Sequence, residues 1–151
     1  MKTELLTEIW NAHRQSLAGP LKKLTPDNFR NRLRPETASA GFIALHIAES
    51  ILDFGKPFFG FEIPFEPRTL RASDPGEELS PDAVQALLRQ ALEAMTTAIG
   101  QMPDDQWQEV VSSQVGSVTR LQGLVFIMHH NSYHIGQMAQ ALKKGEMKNE
   151  V

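Results

Sequence analysis

No cysteine occurs in the sequence. That excludes a disulfide framework, a cysteine-ligated zinc or iron–sulfur site and a thiol nucleophile. It accords with a reducing compartment, and a cytoplasmic protein is the expectation. Long apolar runs are also missing, since no stretch approaches the roughly 18 uninterrupted apolar residues of a membrane-spanning helix. The opening MKTELLTEIW carries a charge every few residues and lacks the apolar region of a signal peptide. Positive charge is not in excess: 15 Lys and Arg stand against 18 Asp and Glu, for a net charge of −3. A nucleic-acid binder usually shows a basic stripe, so that class is disfavoured. Only Lys22-Lys23, Arg30–Arg34 and Lys143-Lys144 are locally basic, and each reads as a solvated helix end or loop.

What is present is an ordinary globular composition, with 41% hydrophobic and 22% charged residues over 151 positions. One domain spanning residues 1–151 is expected, with a substantial core. Leu6, Trp10, His13 and Leu17 follow helical spacing, widened by Leu5 and Ile9, and predict an amphipathic helix over residues 3–18. Gly19-Pro20 should end it. Thr25, as N-cap before Pro26, predicts a short helix to about Leu33, interrupted at Arg34-Pro35.

From Thr37 to Phe59 the pattern is helical again, with Pro57 expected to end or kink the last turn. Gly60–Leu79 holds Pro64, Pro67, Pro75 and Gly76 and reads as a long irregular connection of the kind that forms lids or crossovers. Ser80 then caps a third helix opening at Pro81 and reaching Gly100. Pro103–Glu109 is a short helical turn carrying Trp107, and Val110–Val118 is a Gly/Ser-containing link. Thr119 can cap a fourth long helix to Lys144, with Gly145 as its C′ residue. Four long helices, two short ones and no persuasive strand make an all-α, four-helix bundle.

The stretch Val125–Gln137, VFIMHHNSYHIGQ, concentrates three of the five histidines. On a helical wheel His130 and His134 share a face with Phe126, Ile127, Tyr133, Gln137 and Met138. His129 falls on a polar strip and reads as surface. A third face, Leu121, Val125, Met128 and Ile135, is also apolar, and a second copy of the chain would cover it. In the second helix, His46 points inward with Glu49, Ser50 and Asp53 on its side.

Buried imidazoles need partners for their nitrogens. Two histidines from one helix and one from another make a three-nitrogen set with an open position, as catalytic metals require, whereas structural zinc sites are typically closed by four protein ligands. Neutral imidazole suits zinc, nickel, iron or copper. The bland alternatives are structural or exposed histidines, and His13 reads as a satisfied core histidine. Glu49 and Asp53 either orient His46 or are solvated charges. Tyr133 and Gln137 either reach the site mouth or serve packing. Position 131 is Asn, so there is no HExxH motif, and neither a serine nucleophile elbow nor a Gly-rich phosphate loop is present. Any chemistry would rest on the metal, which could ionise a bound water or an incoming thiol.

His130-Asn131-Ser132-Tyr133-His134-Ile135-Gly136-Gln137 resembles the H-x3-H-x-G-Q signature in the last long helix of the DinB-like superfamily. GFIALHIAESILDF, residues 41–54, is similar to the first-ligand helix of that family. The similarity extends over the whole chain in helix order. It implies a four-helix bundle with a divalent metal (Zn, Ni or Fe) on His46, His130 and His134, and frequent homodimerisation. It further implies a small-molecule reaction of the type catalysed by thiol-dependent transferases and an isomerase that use mycothiol, bacillithiol or glutathione. The remaining alternatives are a non-catalytic dimeric stress or binding protein with a structural metal, and a metal-dependent hydrolase.

Overall fold

A computed structural model describes residues 1–70, 73–76 and 78–147. Four long helices account for most of it: α1 (Lys2–Lys22), α2 (Ala40–Phe59), α3 (Pro81–Gln101) and α4 (Arg120–Met147). A 3-10 turn at Asp104–Gln106 and a hairpin of β1 (Val110–Ser113) and β2 (Gly116–Thr119) join α3 to α4. The architecture is the expected all-α bundle with one small sheet added.

Helix α2 is the centre of the bundle, packing against both α3 and α4. It is apolar on nearly every side because it is enclosed on nearly every side. Trp10 and Leu17 of α1, Ile47 and Ile51 of α2, Met95 and Ile99 of α3, and Leu124, Ile127 and Met138 of α4 are fully buried. At Gly123, α4 approaches α2 closely enough that a Cβ would lie 2.5 Å from the Phe58 ring. The start of α4 is fixed by a reciprocal cap. Thr119 Oγ1 accepts from the Gln122 amide at 3.1 Å, and Gln122 Oε1 accepts from the Thr119 amide at 2.9 Å. Ser80 caps α3 ahead of Pro81, as its sequence indicates.

Several boundaries differ from expectation. Helix α1 continues through Pro20 to Lys22, the proline forgoing its own bond to the Ser16 carbonyl one turn back. Pro57 does not end α2 either. Its missing N–H would have bonded the Asp53 carbonyl one turn back, and that carbonyl instead accepts from Gln114 Nε2 at 3.1 Å. The helix stops at Gly60, whose φ of 73° is left-handed and whose N–H bonds Lys56 O.

The short helix expected from Thr25 is a series of turns. Its backbone is used elsewhere: Asn31 O and Phe29 O accept from the Ala40 and Gly41 amides at 2.9 and 2.8 Å, satisfying the N-terminus of α2. Helix α2 accordingly begins at Ala40, behind Ser39 as N-cap, and not at Thr37. The Pro103–Glu109 turn is helical only over Asp104–Gln106.

The link after it is the hairpin, paired from Val110–Thr119 to Ser113–Gly116. The β-branched pairs Val110-Val111 and Val118-Thr119 favour strand, but four residues are too few to show a period. Helix α4 runs past Gly145, so that glycine is not its C′ residue. The Gly60–Leu79 connection is irregular in its described part; residues 71, 72 and 77 lie outside the described residues. Finally, the second apolar face of α4 is largely covered by the chain's own core. Ile135 is buried and Leu121 and Met128 are partly buried, while Val125 stays 52% exposed.

Candidate metal centre

The crossing of α2 and α4 brings His46, His130 and His134 together. His46 Nε2 lies 3.1 Å from His134 Nε2, which lies 3.2 Å from His130 Nε2. All three rings are half-buried, and their ligand atoms fall within 4.8 Å of one another. Among the described residues no other cluster of three potential metal ligands forms. His13 is elsewhere, with its Nε2 accepting from Asn131 Nδ2 at 3.2 Å, and His129 is exposed.

The nitrogens fit a metal. Bonds of about 2.0–2.1 Å at tetrahedral angles place neighbouring nitrogens about 3.3–3.4 Å apart. The observed spacings are close to that edge. Proton placement agrees too. His46 Nδ1 donates to Thr69 O at 3.1 Å and His134 Nδ1 donates to Gln137 Oε1 at 2.7 Å, so each Nε2 is left with its lone pair toward the shared centre. His130 differs: its Nδ1 is buried without a hydrogen-bond partner, and its ring lies edge-on to Phe54 at 5.2 Å.

Loss of water on burial lowers the pKa of all three, and the crowding of imidazoles adds to this for His46 and His130. His130 reaches about 4, with His134, His46 and His129 contributing after burial. For His46 the Thr69 carbonyl and the Glu49 carboxylate pull the other way. For His134 the Gln137 bond does so. The result is three neutral imidazoles at pH 7, the form that binds metals.

Glu49 acts on His46 indirectly. It is 1% exposed, and its carboxylate accepts from the Arg68 amide at 3.0–3.1 Å, from the Thr69 amide at 2.8 Å and from the Thr69 hydroxyl. It thereby fixes the backbone whose carbonyl orients His46. Asp53 takes no part, bonding Gln114 of the hairpin turn instead.

Asp74 pins the connection a second time, through the Ser39 amide at 2.9 Å and Arg32 at 2.8 Å. Burial alone would raise the Asp74 carboxyl; the Ser39 and Gly76 amides and Arg32 outweigh that and hold it below its ordinary value. Gln137 serves both suggested roles, orienting His134 and lining the mouth. Tyr133 is 61% exposed, with its ring edge against His134.

One residue escaped the sequence reading and another was legible only in part. Thr69 lies in the connection, where no periodicity marks it. Ser50 stood out only as polar company for His46, yet its buried hydroxyl lies 3.4 Å from His46 Nε2. A recess of about 290 Å³ opens from His46 and His134 to the surface between Phe42, Thr69 and Asp74.

Fold and site together define a helical bundle with a three-histidine cluster that could hold a metal ion. The chain belongs to the DinB family, whose model matches residues 1–145. It is similar in structure to a DinB-like protein from Bacillus cereus ATCC 10987, with a TM-score of 0.79 at 17% identity over 97% of this chain and 95% of that one. A DinB-like protein from Bacillus subtilis, YjoA, aligns with a TM-score of 0.70 at 18% identity over 94% and 92%. At such identities the likeness is one of fold. No curated protein sequence matches. No helix among the described residues is long and apolar enough to cross a membrane.

Proposed function

We propose that the protein is a metal-dependent cytoplasmic enzyme of the thiol-transferase type, acting on a small molecule. His46, His130 and His134 hold a divalent ion of the zinc, nickel or iron class. The convergence of three histidine nitrogens, two of their spacings close to a tetrahedral edge, carries this reading. A divalent ion so held is a Lewis acid that favours the ionised form of a thiol or water in its open position.

The chain's own groups supply orientation. Thr69 O and Gln137 fix two of the imidazoles, and the buried Ser50 hydroxyl lies 3.4 Å from His46 Nε2. The recess on one side of the cluster favours an open site over a closed structural one. Two copies pair through Leu5, Ile9 and Val125, apolar residues left exposed on α1 and α4.

Metal analysis of tag-free protein after reconstitution tests the site. About one ion per chain is expected, falling to a small fraction in His134→Ala; unchanged occupancy in the variant would refute it. Turnover of an electrophilic substrate that requires added thiol supports transfer. Ester hydrolysis without thiol would replace that reading by a hydrolase.

A further inference from the structure

Three recesses follow one another along α4, each sharing lining residues with the next. The first, at the histidine cluster, carries the carboxylates Glu36 and Asp74. It shares Ala38, Ile43 and Gln137 with a second of about 330 Å³, where Leu33, Ala141 and Gly136 complete a mostly apolar wall. The second shares Leu33 with a third of about 410 Å³, lined by Arg30, Arg32, Arg34 and Lys144 and, among the described residues, by no carboxylate. On α4, the residues His134, Gln137, Ala141 and Lys144 follow a 3–4 spacing and mark one face. From His134 to Lys144 the helix rises about 15 Å.

Two of the four cations are engaged: Arg30 pairs with Glu78, and Arg32 pairs with Asp74 and donates to Thr37 O. Arg34 and Lys144 have no ion pair among the described residues. These two uncommitted cations line the third recess, which holds none of the histidines. Gly136 adds an independent sign. Glycine is unfavourable inside a helix, and here no neighbouring atom requires it, since a Cβ would meet nothing within 4 Å. A larger side chain at that position would project into the middle recess.

We propose that this groove binds a small molecule with three parts in order: a metal-seeking head, an apolar chain, and an anionic group seated on Arg34 and Lys144. The head's place rests on the metal reading above; the anionic seat does not. The histidines at one end and the cations Arg34 and Lys144 at the other fix the direction of binding.

Calorimetry on the full zinc-loaded chain tests this with 8-mercaptooctanoate, its neutral analogue 8-mercaptooctanol, and 3-mercaptopropanoate. The long acid should bind about tenfold more tightly than the alcohol. That preference should vanish in Arg34→Glu/Lys144→Glu. Gly136→Leu should weaken the long acid about tenfold and leave 3-mercaptopropanoate unchanged. Arg34 and Gly136 are exposed and Lys144 is half-buried, and an unchanged thermal midpoint verifies folding. Equal affinity for long acid and alcohol, or an unaffected Gly136→Leu, would overturn the proposal. Octanoate on metal-free protein separates the two readings. Binding that the double charge reversal abolishes upholds the groove whether or not zinc binds; zinc binding with charge-independent octanoate affinity refutes the groove alone.

Discussion

Replacing Glu49 by Gln removes one charge and keeps the shape, which isolates what the buried carboxylate does. Its two oxygens accept from the Arg68 amide, the Thr69 amide and the Thr69 hydroxyl. A carboxamide keeps one accepting oxygen and turns an NH2 toward a backbone N–H that also donates. One charge-assisted bond is lost and the others weaken to neutral strength, for a net cost of about 2 kcal/mol. For a chain of this length that corresponds to a fall of about 5 °C in Tm. Glu49→Ala removes the acceptor of all three bonds, stranding the buried Thr69 amide and hydroxyl, and should cost about 3–5 kcal/mol.

The effect should reach the metal as well. Thr69 O orients His46, and loosening such a supporting group weakens metal binding by about tenfold or more. Urea denaturation of metal-free protein and zinc titration of the same samples read the two effects separately. A Glu49→Gln protein with unchanged stability and unchanged zinc affinity would show that the carboxylate does not hold the connection against the site.

Acidification should destabilise the metal-free fold. Burial holds His130 at about 4, and His46, His134 and His13 are also lowered, against 6.5 for a free histidine. The unfolded chain therefore takes up protons below about pH 6.5 that the fold refuses, and stability falls from there toward about pH 4. A urea midpoint that is flat across that window would contradict these environments. Arg120→Leu removes the bonds to Phe58 O, Gln106 O and Glu109 and should cost about 2–4 kcal/mol in chemical denaturation. Gly123→Ala drives a methyl into buried Phe58; the overpacking outweighs the gain in helix propensity, for a net loss of about 1 kcal/mol by the same assay. Light scattering at micromolar concentration should give twice the chain mass, and a monomer would refute the pairing through Leu5, Ile9 and Val125.

Periodicity made the four long helices legible, and with them the placement of three histidines on facing sides of α2 and α4. The same reasoning left Tyr133 between the site mouth and packing, and the structure has it exposed beside His134. The buried stripe of α4 is centred on Leu124, Ile127, Asn131 and Met138. The histidines stand at its edge, where a recess can reach them. The segment from Thr25 to Ser39 could not be read locally, since Asn31 and Phe29 give their carbonyls to α2 and not to one another. Thr69 was illegible for a related reason: it contributes a backbone carbonyl, which any residue carries. The role of Glu49 was half legible. Its direction was evident from the wheel, whereas its action through the connection depends on a chain crossing that no spacing encodes.

A crystal structure of metal-loaded protein, with the element identified by anomalous scattering, tests the central claim most directly. The account predicts one divalent ion within about 2.0–2.2 Å of Nε2 of His46, His130 and His134, with its remaining position open to the recess beside Phe42 and Thr69. An empty cluster in the presence of excess metal, or a fourth protein ligand closing the site, would contradict it.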